Sequence, residues 1–173
     1  AGHGEFPRVL FAPGTPEQAL YLTNKAFDLA EKYQIPAIIQ SDQYLADAEW
    51  SYPKLDPAPL RCHDYRDRAT DGDAADYQRY RFTDSGVSPL AVPGLSPRLV
   101  VVDSDEHDEE GHIIEDAETR RRMVDKRWRR KWPALRAEIA QPLLYGHDRP
   151  ELLLVGYGST YGGMHDAVDI LGE

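Results

Sequence analysis

Between Asp103 and Ile113 the chain reads Asp-Ser-Asp-Glu-His-Asp-Glu-Glu-Gly-His-Ile, packing acids and two histidines into one loop's length. Carboxylates and imidazoles at this density are the side chains of cation sites, so spacing is the first test. An EF-hand calcium loop needs oxygen ligands at its first, third and fifth positions, glycine at the sixth and a bidentate glutamate at the twelfth. Counted from Asp103, those last three positions hold His107, Asp108 and Ile114, and the reading fails. Zinc fares no better, because Cys62 is the only thiol and His107 and His112 lack partners at ligand spacing. No metal is expected here.

A basic stretch follows: Arg120-Arg121-Arg122, then Arg127, Arg129, Arg130 and Lys131. The pattern predicts a helix from about Glu115 to Trp132, stopped or broken by Pro133. Glu115, Asp116 and Glu118 fall in its first turns and the cations in its last, as the helix dipole favours. Met123, Val124, the stem of Arg127 and Trp128 supply an apolar stripe. Three readings compete for the two charge blocks: a cation site, a nucleic-acid surface, or opposite charges that neutralise each other inside a fold. Carboxylates beside the arginines would repel phosphates, and the formal net charge is -10. Neither nucleic acid nor membrane is an expected partner. Docking between subunits or domains is, since opposite charge blocks fix register between surfaces.

The elements that must position such groups begin with Val9 to Ala12, a short apolar run bounded by prolines and read as a buried strand. Thr15-Pro16-Glu17 starts a helix expected to reach about Tyr33, with Ala19, Leu22, Ala26, Leu29, Ala30 and Tyr33 on its core face. Ile35 to Gln40 is the next strand. Strand, helix, strand with short turns is a βαβ unit with parallel pairing. Ligands gather at the carboxyl ends of parallel strands, which makes Asp42, Gln43 and Tyr44 candidates for a site. The competing use of this stretch is a turn and helix cap, with Leu45, Ala46 and Trp50 packing beneath.

From Ser51 to about Gly94 periodicity disappears among prolines and alternating charges, which predicts a long irregular excursion. Tyr77, Tyr80 and Phe82, interleaved with Arg79 and Arg81, can stack on a base or pack on a partner subunit. Arg98 to Asp103 reads as another strand, and Ala134 to Ile139 as a short helix. Gln141 to Pro150 reads as a linker, then Glu151 to Val155 as a buried strand. Next comes Gly156-Tyr157-Gly158-Ser159-Thr160-Tyr161-Gly162-Gly163 and a helix from about Met164 to Leu171. Glycine-rich turns of this kind cradle phosphate on backbone N–H groups. Tyr161, however, occupies the third glycine position of a dinucleotide fingerprint, so a tight turn is the competing reading.

At 173 residues the chain is long enough for one domain with a substantial core. Its apolar runs are too short to span a bilayer. One cysteine excludes an internal disulfide and an iron–sulfur cluster. A cytoplasmic location is expected. The opening Ala1-Gly2-His3-Gly4 and the closing Gly172-Glu173 suggest a piece of a longer polypeptide.

Several stretches together resemble the alpha subunit of 2-oxoacid:ferredoxin (acceptor) oxidoreductases, closest to the 2-oxoglutarate type. They are His3-Gly4-Glu5-Phe6-Pro7-Arg8 with Ala12-Pro13-Gly14, the run from Ile38 to Asp47, Tyr77 to Thr83, and Gly86-Val87-Ser88-Pro89 with Val92-Pro93-Gly94. Asp105 to Ile113 and Val155 to Gly162 complete the set. Leu90 departs from the pattern, which has arginine after Ser-Pro. The resemblance implies an α/β fold: a parallel-sheet βαβ piece of a thiamine-diphosphate-binding fold, a long irregular connection, and the start of a second α/β domain. The expected division is residues 1–50 for the later part of a pyrimidine-binding domain, 51–140 for the connection, and 141–173 for the linker and first strand–helix of the next domain.

It further implies oxidative decarboxylation of a 2-oxoacid to an acyl-coenzyme A, with electrons passed to ferredoxin. Thiamine diphosphate would lie at the interface with a beta subunit, its thiazolium accepting the electron pair left by CO2. Magnesium and an iron–sulfur cluster would be held by other subunits of the hetero-oligomer. The family's Tyr-Pro-Ile-Thr-Pro segment and Gly-Asp-Gly motif are absent from this sequence, so the chain alone is expected to be inactive. No catalytic residue is assigned. His3, Glu5, Asp42 and Gln43 are the residues expected near the cofactor.

Overall fold

The computed structural model describes residues 5–67 and 76–172. Its regular elements are β1 (Val9–Phe11), α1 (Pro16–Tyr33), β2 (Ala37–Ile39), α2 (Gln43–Asp47), α3 (Ala117–Asp125), a π-helical turn (Lys126–Lys131), α4 (Trp132–Glu138) and α5 (Thr160–Gly172). They divide between two compact units. One contains the described residues of 1–8, 29–36 and 63–139; the other contains 9–28, 37–62 and the described residues of 140–173.

In the second unit β1 and β2 pair in parallel, Val9 opposite Ala37 and Phe11 opposite Ile39. This is the expected ladder, with the second strand trimmed. Gln34 adopts φ +52°, and Pro36 has no N–H to give, so pairing starts only at Ala37. The helix between the strands starts as expected. Thr15 Oγ1 accepts from the Gln18 N–H at 3.1 Å, while Gln18 Oε1 accepts from the Gly14 N–H at 2.8 Å. That exchange is close to a reciprocal capping box, with Pro16 at the first helical position. Ala26, Leu29 and Tyr33 are buried, while Ala19, Leu22 and Ala30 are half-buried.

The first unit buries Leu29, Tyr33, Ile35, Ala91, Met123 and Leu135. Its helical part corrects the expectation that Pro133 stops the helix. Asp116 caps α3 by accepting from the Thr119 N–H at 2.8 Å, and the chain then passes through the π turn directly into α4. A proline ring inside an α-helix collides with the carbonyl four residues back. Here the turn before it is wider: the Trp132 N–H donates to Arg127 O, five residues back. Widening makes room for the ring, and the helix survives.

Two expected strands do not form. Arg98 to Asp103 forms no ladder among the described residues, and Leu99 and Val102 are exposed. Glu151 to Val155 is likewise unpaired among the described residues, with Leu152 and Val155 exposed. A wholly apolar run becomes a parallel strand only when neighbours cover both faces. The long excursion is irregular as expected: no α-helix or strand element lies between α2 and α3 among the described residues. The α/β class stands.

Candidate functional site

In the second unit the carboxyl ends of the strands meet the glycine-rich turn, and Asp42 joins them. Its Oδ1 accepts from the Leu45 N–H at 2.9 Å, capping α2. Its Oδ2 accepts from the Ser159 N–H, also at 2.9 Å, just before α5 begins. One carboxylate therefore serves the N-terminal ends of two helices. These backbone donors, Leu45 first and then Ser159, hold its pKa below the ordinary carboxylate value. Gly158 stands here at φ +63°, and a Cβ on it would lie 2.9 Å from Asp42 Oδ2. Gly14, following β1, approaches so closely that a Cβ would fall 2.4 Å from Gly158 O.

The cap reading of Ser41 to Leu45 is thus realised, with Leu45 half-buried. No residue of α2 is buried, Ala46 is exposed, and Trp50 meets Tyr44 edge-on at 6.2 Å. Gln43 and Tyr44, with Asp47 and Ala48, line an open recess. The glycine-rich segment makes a tight turn: α5 starts at Thr160, four residues earlier than expected, and takes Gly162 and Gly163 into its first turn. Its Ser159 N–H already answers Asp42, which removes a donor that a phosphate would need.

Asp42→Ala is expected to speed amide exchange at both Leu45 and Ser159 and to lower the melting temperature. Unchanged exchange at Ser159 would remove the linking role. Because the folded carboxyl is depressed, its contribution is present above the unfolded value of about 3.9 and is lost as pH falls through the folded one.

In the first unit several acids of the loop are engaged by the fold. Asp108 Oδ1 accepts from the backbone of Glu110, Gly111 and His112, the Glu109 carbonyl takes the Tyr80 N–H, and Glu109 Oε1 takes the Phe82 N–H. Glu106 receives Arg127 in a two-pronged pair at 2.9 and 2.7 Å. Burial pushes the Glu106 carboxyl up, and the hydrogen bonds and charge of Arg127 outweigh it, so its pKa lies below the usual value. The His107 ring lies tilted at 38° against Tyr80, with ring centres 3.7 Å apart. Asp103, Asp105, Glu110 and His112, by contrast, are exposed. Internal neutralisation is what Glu106 and Arg127 do, while Arg121 and Arg129 pair with Asp125 on the exposed side.

The sequence reading passed over Lys126. It is buried, its ammonium donating to Ser88 Oγ and Tyr80 O at 2.5 Å each and lying over the Tyr80 and Phe82 rings. The signal was its place beside Arg127 on the helix face carrying Met123. Burial, then the charges of Lys131 and Arg79, lowers its pKa from the usual 10.5 to about 7. An unfolded chain keeps the proton to higher pH than the folded one does. Stability from this group therefore falls as pH drops from 10.5 towards 7. Melting temperature is expected to rise between about pH 7 and 9, and a Lys126→Met variant that kept the full slope would contradict this.

Of the residues expected near a cofactor, His3 lies outside the described residues. Glu5 is exposed in the first unit, whereas Asp42 and Gln43 are adjacent in the second. Thiamine diphosphate asks for an enclosing apolar wall, a polar partner for its aminopyrimidine and a cation beside its diphosphate. Both oxygens of Asp42 are engaged, Glu5 and Gln43 are exposed, and no group of three His, Cys, Asp or Glu that could hold a metal occurs among the described residues. By themselves these residues do not fit the cofactor. Nor is any helix among the described residues long and apolar enough to cross a membrane.

Comparison with known proteins gives a consistent picture. A family described as pyruvate flavodoxin/ferredoxin oxidoreductase, thiamine diphosphate-binding, matches residues 3–126. A 2-oxoacid:ferredoxin oxidoreductase alpha subunit of Aeropyrum pernix is 34% identical over 174 residues, covering 99% of this chain and 27% of the relative. One from Saccharolobus solfataricus is 33% identical over 175 residues, with 99% and 27% covered. The chain thus spans about a quarter of the length of the curated relatives it matches. Among solved structures, the 2-oxoglutarate:ferredoxin oxidoreductase from Magnetococcus marinus, with 2-oxoglutarate, coenzyme A and succinyl-CoA bound, superposes at a TM-score of 0.78. It is 25% identical, over 99% of this chain and 29% of that one. With the family match covering most of the sequence and the fold agreeing along nearly all of it, the chain belongs to the thiamine-diphosphate-binding pyruvate flavodoxin/ferredoxin oxidoreductase family.

Proposed function

We propose that this chain is part of the alpha subunit of a thiamine-diphosphate-dependent oxidoreductase that converts 2-oxoglutarate to an acyl-coenzyme A and passes electrons to ferredoxin. The family match carries this reading, and the 2-oxoglutarate enzyme of Magnetococcus marinus supports the choice of substrate. The cofactor lies at the interface with a beta subunit, magnesium and the iron–sulfur cluster belong to other subunits, and the complex is cytoplasmic. In this reading residues 1–50 belong to the later part of the pyrimidine-binding domain, 51–140 connect, and 141–173 open the next α/β domain. The exposed apolar run Leu152 to Val155 supports that last assignment, as a strand that further polypeptide would cover. His3, Glu5, Asp42 and Gln43 border the cofactor rather than bind it directly, with Asp42 acting by holding the Gly158–Ser159 turn in place. A nucleotide-binding or protein-interaction module without catalysis is the weaker alternative, because Asp42 already occupies the Ser159 amide.

The test uses the complete complex containing this subunit. Coenzyme A-dependent reduction of ferredoxin is measured with 2-oxoglutarate, pyruvate and a branched 2-oxoacid. Preference for 2-oxoglutarate is expected; activity with pyruvate alone would reject the substrate assignment. Calorimetry of the isolated chain with thiamine diphosphate and magnesium should show no binding. Tight binding there would reject the shared site.

A further inference from the structure

The short helix α2 carries a surface that its own fold does not use. Gln43, Tyr44, Asp47 and Ala48 line an open recess of about 480 Å³. Its wall is aromatic: Tyr44 is 65% exposed, and the Trp50 ring meets it at 6.2 Å with the two planes 83° apart. Trp50 and Tyr52 are themselves exposed. Tyrosine and tryptophan standing at the surface in this way are the side chains that protein interfaces favour, because each joins a large apolar body to a polar tip.

Charge then selects what can enter. Asp47 lines the recess, and no hydrogen bond or ion pair engages its carboxylate among the described residues. Glu49, two positions on, is likewise exposed and unpaired among them. From Tyr33 to Pro53 the chain has no lysine or arginine, so this stretch supplies no cation of its own. The recess also lies at the carboxyl end of α2, where the carbonyls of a last helical turn face outward and favour positive charge. An exposed carboxylate alone would be ordinary. Beside an exposed aromatic ring in a recess, it is half of a cation receptor.

We propose that this recess seats an arginine side chain presented by another polypeptide of the assembly, the guanidinium lying against Tyr44 and pairing with Asp47. Arginine fits better than lysine, because its planar, weakly hydrated head both stacks on a ring and grips a carboxylate with two N–H groups. The Gln43 amide oxygen offers a further acceptor to the remaining N–H groups. Tyr44 and Trp50 are then the apolar anchor of a protein–protein contact, and Asp47 is its charged partner. The chemistry of the recess stands without the thiamine reading, whereas the source of the arginine, another subunit, rests on the proposed alpha-subunit role.

Two measurements test it. In the first, N-acetyl-arginine methylamide is titrated into the chain while the Trp50 indole N–H and the Asp47 carboxyl carbon are followed by NMR. The lysine amide and the uncharged citrulline amide are the comparisons. Saturable shifts of both resonances are expected with arginine, weaker binding with lysine and none with citrulline. Asp47→Asn and Tyr44→Leu should each weaken the arginine amide about two- to fivefold, the loss of one exposed ion pair or one cation–ring contact. Shifts that stay linear, or that citrulline reproduces, overturn the proposal. The citrulline comparison uses the unaltered chain and decides even where a variant misfolds. In the second, carbodiimide labelling of Asp47 is compared between the isolated chain and the complete complex. Labelling in the chain and protection in the complex are expected, and equal labelling overturns the proposal. So does protection of the isolated chain through dimerisation, which would make a second copy the occupant. Neither readout is turnover, so a wrong substrate assignment leaves both unchanged.

Discussion

Gly86→Ala should cost about 3 kcal/mol of stability, read as a shift in the urea midpoint. Two effects combine. Gly86 sits at φ +73°, where an alanine pays about 1–2 kcal/mol for the left-handed backbone. Its Cβ would also stand 2.6 Å from Lys126 O and 2.7 Å from Lys131 N. Both are backbone atoms at the two ends of the π turn, and neither can swing aside as a side chain would. Overpacking of this kind adds roughly 1–3 kcal/mol. Gly94→Ala supplies the control: φ is +81°, but nothing lies within 4 Å of the added carbon. It should cost only the backbone term, about 1 kcal/mol. Equal losses in the two variants would mean that the loop does not press on the turn.

Glu106→Gln is expected to be comparably damaging, by about 2–4 kcal/mol. The substitution keeps the shape and removes the charge opposite Arg127, whose side chain is only 21% exposed. Glu106 itself is 14% exposed, so little water is at hand to replace what is lost. Arg127 already has one unsatisfied nitrogen, and the variant leaves its forked pair facing a neutral amide. Adding Arg127→Met in the same chain should recover much of the loss, since an apolar pair tolerates burial where an unpaired cation does not. A double variant as unstable as the single would show that the pair matters through something other than its charge. Acid provides the same experiment without mutation. The Glu106 carboxyl is depressed in the folded chain, so its contribution is complete above the ordinary value of 4.5 and disappears as pH falls through the lower folded one.

Local physics was legible wherever a signal acts within a few residues. Thr15-Pro16 with Gln18 marks the start of α1 because the cap and its reciprocal partner are adjacent in sequence. The ladder of Val9 with Ala37 follows from two apolar runs flanking one helix. Asp42 as a cap is likewise local, since its first partner, Leu45, is three residues away. Its second partner is not: Ser159 lies 117 positions along, and no pattern near Asp42 announces it. The acidic loop was visible as charge, but charge alone does not tell an internal pair from an exposed docking face. Arg127 decides this by reaching Glu106 across 21 positions. Pro133 shows the opposite failure, in which a sound local rule is overridden. The breaker is tolerated because the turn before it has already opened, and Gly86, 47 positions earlier, packs on that turn. Helix starts, strand pairing and composition were therefore set by neighbours along the chain. Which carboxylate meets which amide, and which lysine is buried, depends on distances that only folding brings about.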